Sequence, residues 1–266
     1  MKAVILAGGF GTRISEESHL RPKPMIEIGG SPILWHILKY YSHFGVNEFI
    51  VCCGYMGYAI KEYFADYYLH RSDVTFDFSN GGAMTVHANV AEPWKVTVVD
   101  TGLETQTGGR IRRVRSFVDG ERFLMTYGDG VSDIDLPALI RTHEQSGKTV
   151  TLSAIQPGAR FGVLDINDRD GTITGFHEKA RGGEGWINAG FMVMEPGVFE
   201  YIDSDDSVIF ERDPLQRLSA AGRLGVYKHR GYWQCMDTAR DKETLETLWQ
   251  AGDAPWKVWG SCGEKQ

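Results

Sequence analysis

The chain has 266 residues and a formal net charge of −7, with 42% hydrophobic and 24% charged residues, which suits one large α/β domain. No lysine-arginine stripe of the kind nucleic acid requires runs along it, and no segment approaches the about 18 apolar residues of a membrane span. The apolar start MKAVILAGG is too short for a signal peptide, so a cytoplasmic protein with no nucleic-acid and no membrane partner is expected.

Lys2 to Leu6 (KAVIL) predicts a first strand buried on both faces of a parallel sheet, and Gly8, Gly9 and Gly11 follow it directly. In open α/β sheets the ligand sits outside the carboxyl ends of the strands, where bare backbone can approach phosphate oxygens closely. The loop is not a GxGxxG fingerprint, which would need glycine at Ile14, nor a P-loop, because no Gly-Lys pair starts a helix. What remains is AGGFGTR (Ala7 to Arg13) followed by RPKPM (Arg21 to Met25). Arg13 and Lys23 can then converge on one polyphosphate, with Pro22 and Pro24 keeping Lys23 extended. A tight turn and a solvated lysine are the plain alternative.

Next, Ser31 and Pro32 read as cap and first-turn residue of a helix whose apolar positions are Leu34, Ile37, Leu38, Tyr41 and Phe44, closed by Gly45. EFIVCC (Glu48 to Cys53) predicts a second strand, and Tyr58 to Leu69 a helix with a wide apolar stripe. This alternation predicts an α/β fold with a doubly wound, mostly parallel, Rossmann-like sheet. Residues 73–91 interrupt it with TFDF and MTVHA around the turn signal SNGG, a small β insertion read as a hairpin. The sheet resumes with WKVTVVD (Trp94 to Asp100) and FLMTY (Phe123 to Tyr127), then a helix from Leu136 to Ser146 and the strands KTVTLSAI, FGVLDI, TITGF and INAGFMVM. A helix around Pro196 to Ile202 and a last one from Thr238 to Ala251 complete a single domain over 1–259, with 260–266 expected as a disordered tail. Cys52, Cys53, Cys235 and Cys262 have neither CxxC nor zinc-like spacing, which favours buried free thiols.

Three further stretches carry chemistry. YGDGVSD (Tyr127 to Asp133) puts Asp129 at a strand end between two glycines, placed to hold a divalent metal or to make an Asx-turn. Asp237 in WQCMDT also follows a strand and begins a helix, as a second metal ligand, an N-cap, or both. TGLETQTGGRIRRV (Thr101 to Val114) sets Gln106 and Thr107 beside Gly108 and Gly109 at a strand-to-helix junction, where polar atoms near bare backbone can read a base edge or simply start a helix. FHEKA (Phe176 to Ala180) offers Glu178 for sugar hydroxyls and Lys179 for a phosphate, or else a solvated ion pair, and WINAGF adds Asn188.

Together AGGFGTR, RPKPM, YGDG, FHEK, the NAG turn and the late WxxxD resemble the sugar-1-phosphate nucleotidyltransferases, from residue 2 to about 258. TQTGGR, ARFGVL, WINAGF, GYWQCMDT and APWKVW are most similar to those members that join CTP to α-D-glucose 1-phosphate. The resemblance implies a sugar-binding half beside the nucleotide half, and formation of CDP-glucose and pyrophosphate by in-line attack on the α-phosphorus. It implies Leu6, Ala7, Gly8, Gly9, Gly11, Thr12, Gln106, Thr107, Gly108, Gly109 and Asp129 at the nucleotide, and Tyr127, Gly128, Glu178, Lys179 and Asn188 at the sugar phosphate. Arg13 and Lys23 become catalytic cations, Asp129 and Asp237 ligands of Mg²⁺, and the protein a homo-oligomer, with a hexamer suggested. Two readings stay beside it: a thymidylyl- or uridylyltransferase on the same sugar phosphate, and a non-catalytic nucleotide-sugar sensor.

Overall fold

A computed structural model describes residues 1–14, 19–156, 163–167, 171–177 and 185–260. Its strands are β1 (Lys2–Ala7), β2 (Glu27–Ile28), β3 (Ser31–Pro32), β4 (Glu48–Cys53), β5 (Ser72–Asp77), β6 (Ala83–Asn89), β7 (Lys95–Asp100) and β8 (Phe123–Tyr127). They continue with β9 (Gly130–Ser132), β10 (Val150–Ile155), β11 (Val163–Asn167), β12 (Thr172–His177), β13 (Ile187–Met194), β14 (Leu224–Lys228) and β15 (Trp233–Cys235). Nine of these form one sheet in the order β11-β12-β14-β10-β13-β8-β1-β4-β7. Only β12 and β13 run against the direction of the other seven, so the sheet is mostly parallel, as expected. Among the described residues no helix is long and apolar enough to cross a membrane.

The strand sequences explain the layering. Ala3, Ile5 and Ala7 of β1 point into one core with Phe49, Val51 and Cys53 of β4, while Val4 and Leu6 point into a second core with Ile50 and Cys52 on the opposite face. A strand that is apolar at successive positions has no face to offer water, which places β1 and β4 inside the sheet. Cys52 and Cys53 are buried free thiols in these strands, and burial pushes both thiols up, Cys53 to about 12. Cys262 lies outside the described residues.

Several local readings need correction. Ser31 does not cap the Ile33–His43 helix: it pairs with Ile28 across the Gly29-Gly30 turn, both glycines having positive φ, and Pro32 is the cap residue. The helix at Gly57–His70 buries only Ile60 and Tyr67, leaving Tyr58 and Tyr68 exposed, because it packs at the sheet's β7 edge and not over its centre. The predicted hairpin in the insertion is β5 paired with β6, a sheet of its own. The segment after Glu195 is a 3₁₀ turn, Pro196–Tyr201. Lys23 is not extended but opens the 3₁₀ turn Lys23–Met25, since the fixed φ of Pro24 suits a first helical turn as well as an extended segment.

The aromatic tail anchors the segment that carries Lys23. The Ala239–Gln250 helix sends Glu246 Oε2 to the Gly29 N–H at 2.8 Å, and Trp249 lies where a Cβ on Gly29 would be, its Nε1 at 1.9 Å from that position. Buried His36 donates from Nε2 to Ile28 O at 2.8 Å and accepts at Nδ1 from Trp256 Nε1 at 3.4 Å. Burial holds this imidazole neutral, pushing its pKa down to about 4, while the backbone bonds oppose that shift. The unfolded chain therefore takes up the His36 proton first as pH falls. The contribution is complete above about pH 6.5 and is lost toward pH 4, on the order of 3 kcal/mol in all. Denaturant unfolding between pH 7 and 4.5 should show that loss, and His36→Gln, which keeps a donor for Ile28 without titrating, should flatten it. Equal pH slopes in the two proteins would remove His36 from the account.

Candidate active site

The three glycines after β1 are bare for three different reasons. A Cβ on Gly8 would lie 2.1 Å from Arg110 Nη1, Gly9 faces open space, and Gly11 has φ +67°, a conformation that disfavours a side chain. Arg110 is the residue that the sequence reading missed. It comes from the Thr107–Arg113 helix, is buried, and donates from Nη1 to Cys53 O (2.9 Å), Thr101 Oγ1 (2.7 Å) and Gly102 O (2.8 Å). From Nη2 it donates to Gly8 O (3.0 Å) and Leu103 O (3.2 Å). One guanidinium thus ties together the loops that leave β1, β4 and β7. Burial lowers its pKa somewhat, and the surrounding oxygens stand in for water around the charge. The only signal in the sequence was an arginine directly after paired glycines at a helix start.

Those paired glycines are not among the residues that line the cleft. Gly108 and Gly109 are buried against the 206–208 segment, where a Cβ on Gly108 would meet Val208 Cγ1 at 2.6 Å and one on Gly109 would meet Asp206 O at 3.0 Å. Their N–H groups donate to Val208 O at 2.9 and 3.3 Å, and that of Gln106 to Asp206 O at 2.8 Å. The helix start is therefore occupied by the protein's own chain. Gln106 is exposed at the rim of the cleft, and Thr107 lies beside it on the wall.

A cleft of about 290 Å³ opens at the carboxyl ends of β1 and β8. Leu6, Ala7, Gly8, Gly9, Gly11 and Thr12 line it together with Gln106, Thr107, Tyr127, Gly128 and Asp129, and Lys23 and Arg110 reach it as well. Gly128 spends its N–H on Leu6 O at 2.9 Å, and its missing Cβ leaves room for Leu6 O and Pro24 Cγ, both 3.1 Å away. The backbone of Arg13 lies in the turn Thr12–Ile14, while its side chain, like Glu178 and Lys179, falls outside the described residues.

Tertiary structure makes its largest contribution at Lys23. The antiparallel pair β9 and β15 sets Cys235 opposite Gly130, and Met236 N–H donates to Asp129 O at 2.8 Å, so Asp129 and Asp237 become neighbours. Their carboxylates grip one ammonium: Lys23 Nζ is 2.7 Å from Asp129 Oδ2 and 2.5 Å from Asp237 Oδ1, and Lys23 is 8% exposed. Burial pulls the ammonium pKa down, but the two aspartates outweigh it and the net shift is upward. Asp237 is not the helix cap. Thr238 caps the last helix, its Oγ1 accepting from Asp241 N while the Asp241 carboxylate accepts from Thr238 N, a closed capping box. Cys235 Sγ lies 3.5 Å from Asp237 Oδ2, and burial with both carboxylates nearby pushes its thiol up, so it stands there neutral.

On the far side, Asn188 Oδ1 accepts from Gly190 N–H at 2.8 Å, and Gly190, with φ +84°, has no Cβ because the Tyr127 ring is there, 2.5 Å from the position it would take. Asn188 thereby reaches the Tyr127 hydroxyl. Burial, then the nearby Glu211, holds this phenol protonated well above its ordinary range. Two hard carboxylates focused on one cation fit Mg²⁺, which commonly takes one or two carboxylates and completes its shell with substrate oxygens and water. Among the described residues no group of three or more His, Cys, Asp or Glu is arranged for a metal.

A glycine loop at the mouth of a parallel sheet, with a buried lysine held between two aspartates, is the equipment of a nucleotidyltransferase. The nucleotidyl transferase family model matches residues 2–250, and the chain belongs to that family. Glucose-1-phosphate cytidylyltransferase from Salmonella typhimurium is 55% identical over 260 residues, spanning 97% of this chain and 100% of the relative; the Salmonella typhi protein of the same name matches equally. Within the family the chain accordingly falls with the glucose-1-phosphate cytidylyltransferases. The crystal structure of HddC from Yersinia pseudotuberculosis, 24% identical, shares the fold with a TM-score of 0.74 over 93% of this chain and 99% of that one.

Proposed function

We propose that this enzyme transfers the cytidylyl group of CTP to α-D-glucose 1-phosphate, giving CDP-glucose and pyrophosphate. Whole-length identity of 55% to the Salmonella cytidylyltransferase carries the choice of substrates, and the Lys23 cluster supports the chemistry. A phosphate oxygen of the sugar phosphate attacks the α-phosphorus of CTP in line and pyrophosphate leaves. Both reactants are anions, so the protein's task is to align them and neutralise charge. The glycine loop seats the triphosphate, with Arg13 directed to the leaving phosphates, and Lys23 turns from its aspartates to the α-phosphate. Asp129 and Asp237 hold Mg²⁺, which when bound supplies positive charge at the phosphate oxygens. Tyr127, Glu178 and Asn188 orient the sugar and Lys179 its phosphate.

Glucose 1-phosphate, Mg²⁺ and a panel of CTP, UTP, dTTP and GTP test this reading by pyrophosphate release. Preference for CTP supports it, preference for UTP or dTTP replaces the base assignment, and binding without release identifies a sensor. Asp129→Asn and Asp237→Asn should each raise the Mg²⁺ concentration needed for half-maximal rate by about tenfold or more, the equivalent of about 1.4 kcal/mol per lost anionic ligand. An unchanged Mg²⁺ titration in either variant removes that residue from the metal site. A cytoplasmic homo-oligomer making the activated sugar for deoxysugars of surface polysaccharides such as O-antigen completes the proposal.

A further inference from the structure

Glu211 belongs to none of the sequence motifs of the site, yet its carboxylate joins two residues that line the cleft from separate elements. Its Oε2 accepts from Thr107 Oγ1 at 2.5 Å, and its Oε1 accepts from the Tyr127 hydroxyl. Thr107 Oγ1 already accepts from Phe210 N–H at 2.8 Å, so its one proton is directed to Glu211. Tyr127 stands as a donor too, because its phenol is kept protonated. Two hydroxyl donors thus converge on the two oxygens of one carboxylate. Thr107 starts the Thr107–Arg113 helix, assigned to the nucleotide, and Tyr127 ends β8, packed on Gly190 and assigned with Asn188 to the sugar phosphate.

We infer that Glu211 is a positioning residue whose bridge between Thr107 and Tyr127 sets the spacing between the helix start assigned to the nucleotide and the end of β8 assigned to the sugar phosphate. The inference rests on the proposed transfer reaction and adds a residue to it that touches neither substrate. An in-line reaction is sensitive to such spacing, since misplacement by about 1 Å can cost on the order of a hundredfold in rate. The bridge therefore acts on turnover more than on the binding of either substrate alone.

A double-mutant cycle reads this directly. Thr107→Val and Tyr127→Phe remove one donor each, and each should lower kcat about tenfold with KM values moving less, the pattern of an interaction that aligns bound reactants. Since both act through one carboxylate, the double variant should be little worse than the poorer single one. In a Glu211→Ala background, already slow, neither substitution should cost more than about a further twofold if the shared carboxylate is what couples them. Glu211→Gln keeps one acceptor and presents an amide donor to the other hydroxyl, so its kcat should fall between wild type and Glu211→Ala. If Glu211→Ala does not fold, the Gln variant and the two hydroxyl variants still complete the comparison. Losses that multiply in the double variant, or a Glu211→Gln protein with lowered melting temperature but full kcat per folded molecule, overturn the inference. All rates are taken with the nucleotide and sugar phosphate that the panel selects, so a wrong substrate assignment appears in the panel and a wrong role for Glu211 in the cycle.

Discussion

Lys23→Ala should lower kcat by about a hundredfold or more, the effect of removing a preorganised charge from a developing anion. CTP binding should change much less, because the same charge contributes less to the ground state. The structure adds a second expectation. Lys23 Nζ is the cation between Asp129 and Asp237, so its removal leaves two carboxylates facing each other in a poorly hydrated place. Loss of one partner from a buried charge cluster typically costs about 3 to 5 kcal/mol, and the metal-free variant should unfold correspondingly earlier in denaturant. Mg²⁺ offers a replacement cation and should return part of that stability to the variant while changing the wild type less. Turnover near normal would make Lys23 a structural residue only. A variant that Mg²⁺ does not stabilise would take Asp129 and Asp237 out of the metal site.

Arg110→Lys is expected to loosen the nucleotide loop from within, since Arg110 ties that loop to two others and reaches the cleft. Five oxygens accept from this guanidinium, whereas an ammonium has three protons and no planar fork. At least two acceptors lose this donor, but Cys53 O keeps the Thr101 N–H and Gly8 O the Tyr55 N–H, so a loss of roughly 1 to 3 kcal/mol is expected. The loops leaving β1, β4 and β7 lose their common tie, and KM for CTP should rise with the fall in stability. Gly8→Ala tests the same contact from the other side: it should be harmful beside Arg110 and much less so in an Arg110→Ala protein, where the 2.1 Å clash is gone. Wild-type KM for CTP in Arg110→Lys, at whatever stability, would separate the guanidinium from the nucleotide loop.

Chain-local patterns were enough for most strands of the main sheet, several helices and the glycine loop, because these depend on residues a few positions apart, but β14 and the Asp213–Ala220 helix were not read from them. KAVIL and EFIVCC suit strands buried on both faces, and AGGFGTR a loop at a strand's end, as found. Family resemblance carried the pairing of Asp129 with Asp237, which no spacing in the chain announces. Their meeting is created by the register of β9 against β15. Gly108 and Gly109 show the converse failure: bare backbone next to polar residues reads as a ligand site, but their neighbours are Val208 and Asp206, about a hundred positions along the chain. Ser31 failed for a nearer reason, since the Gly29-Gly30 turn pairs it with Ile28 before the helix begins.

Arg110 and Glu211 were invisible for a common reason. Each acts through partners supplied by several segments, Arg110 through carbonyls after or at the ends of β1, β4 and β7 and Glu211 through the hydroxyls of Thr107 and Tyr127. Periodicity and glycine chemistry act over a few residues and are written into the chain, so the order of the elements and the position of the nucleotide loop were decided there. Which charges face each other, which glycines pack against protein and which face open space, and what ties Thr107 to Tyr127 depend on contacts closed over about sixty to two hundred residues, and only the folded sheet decides them.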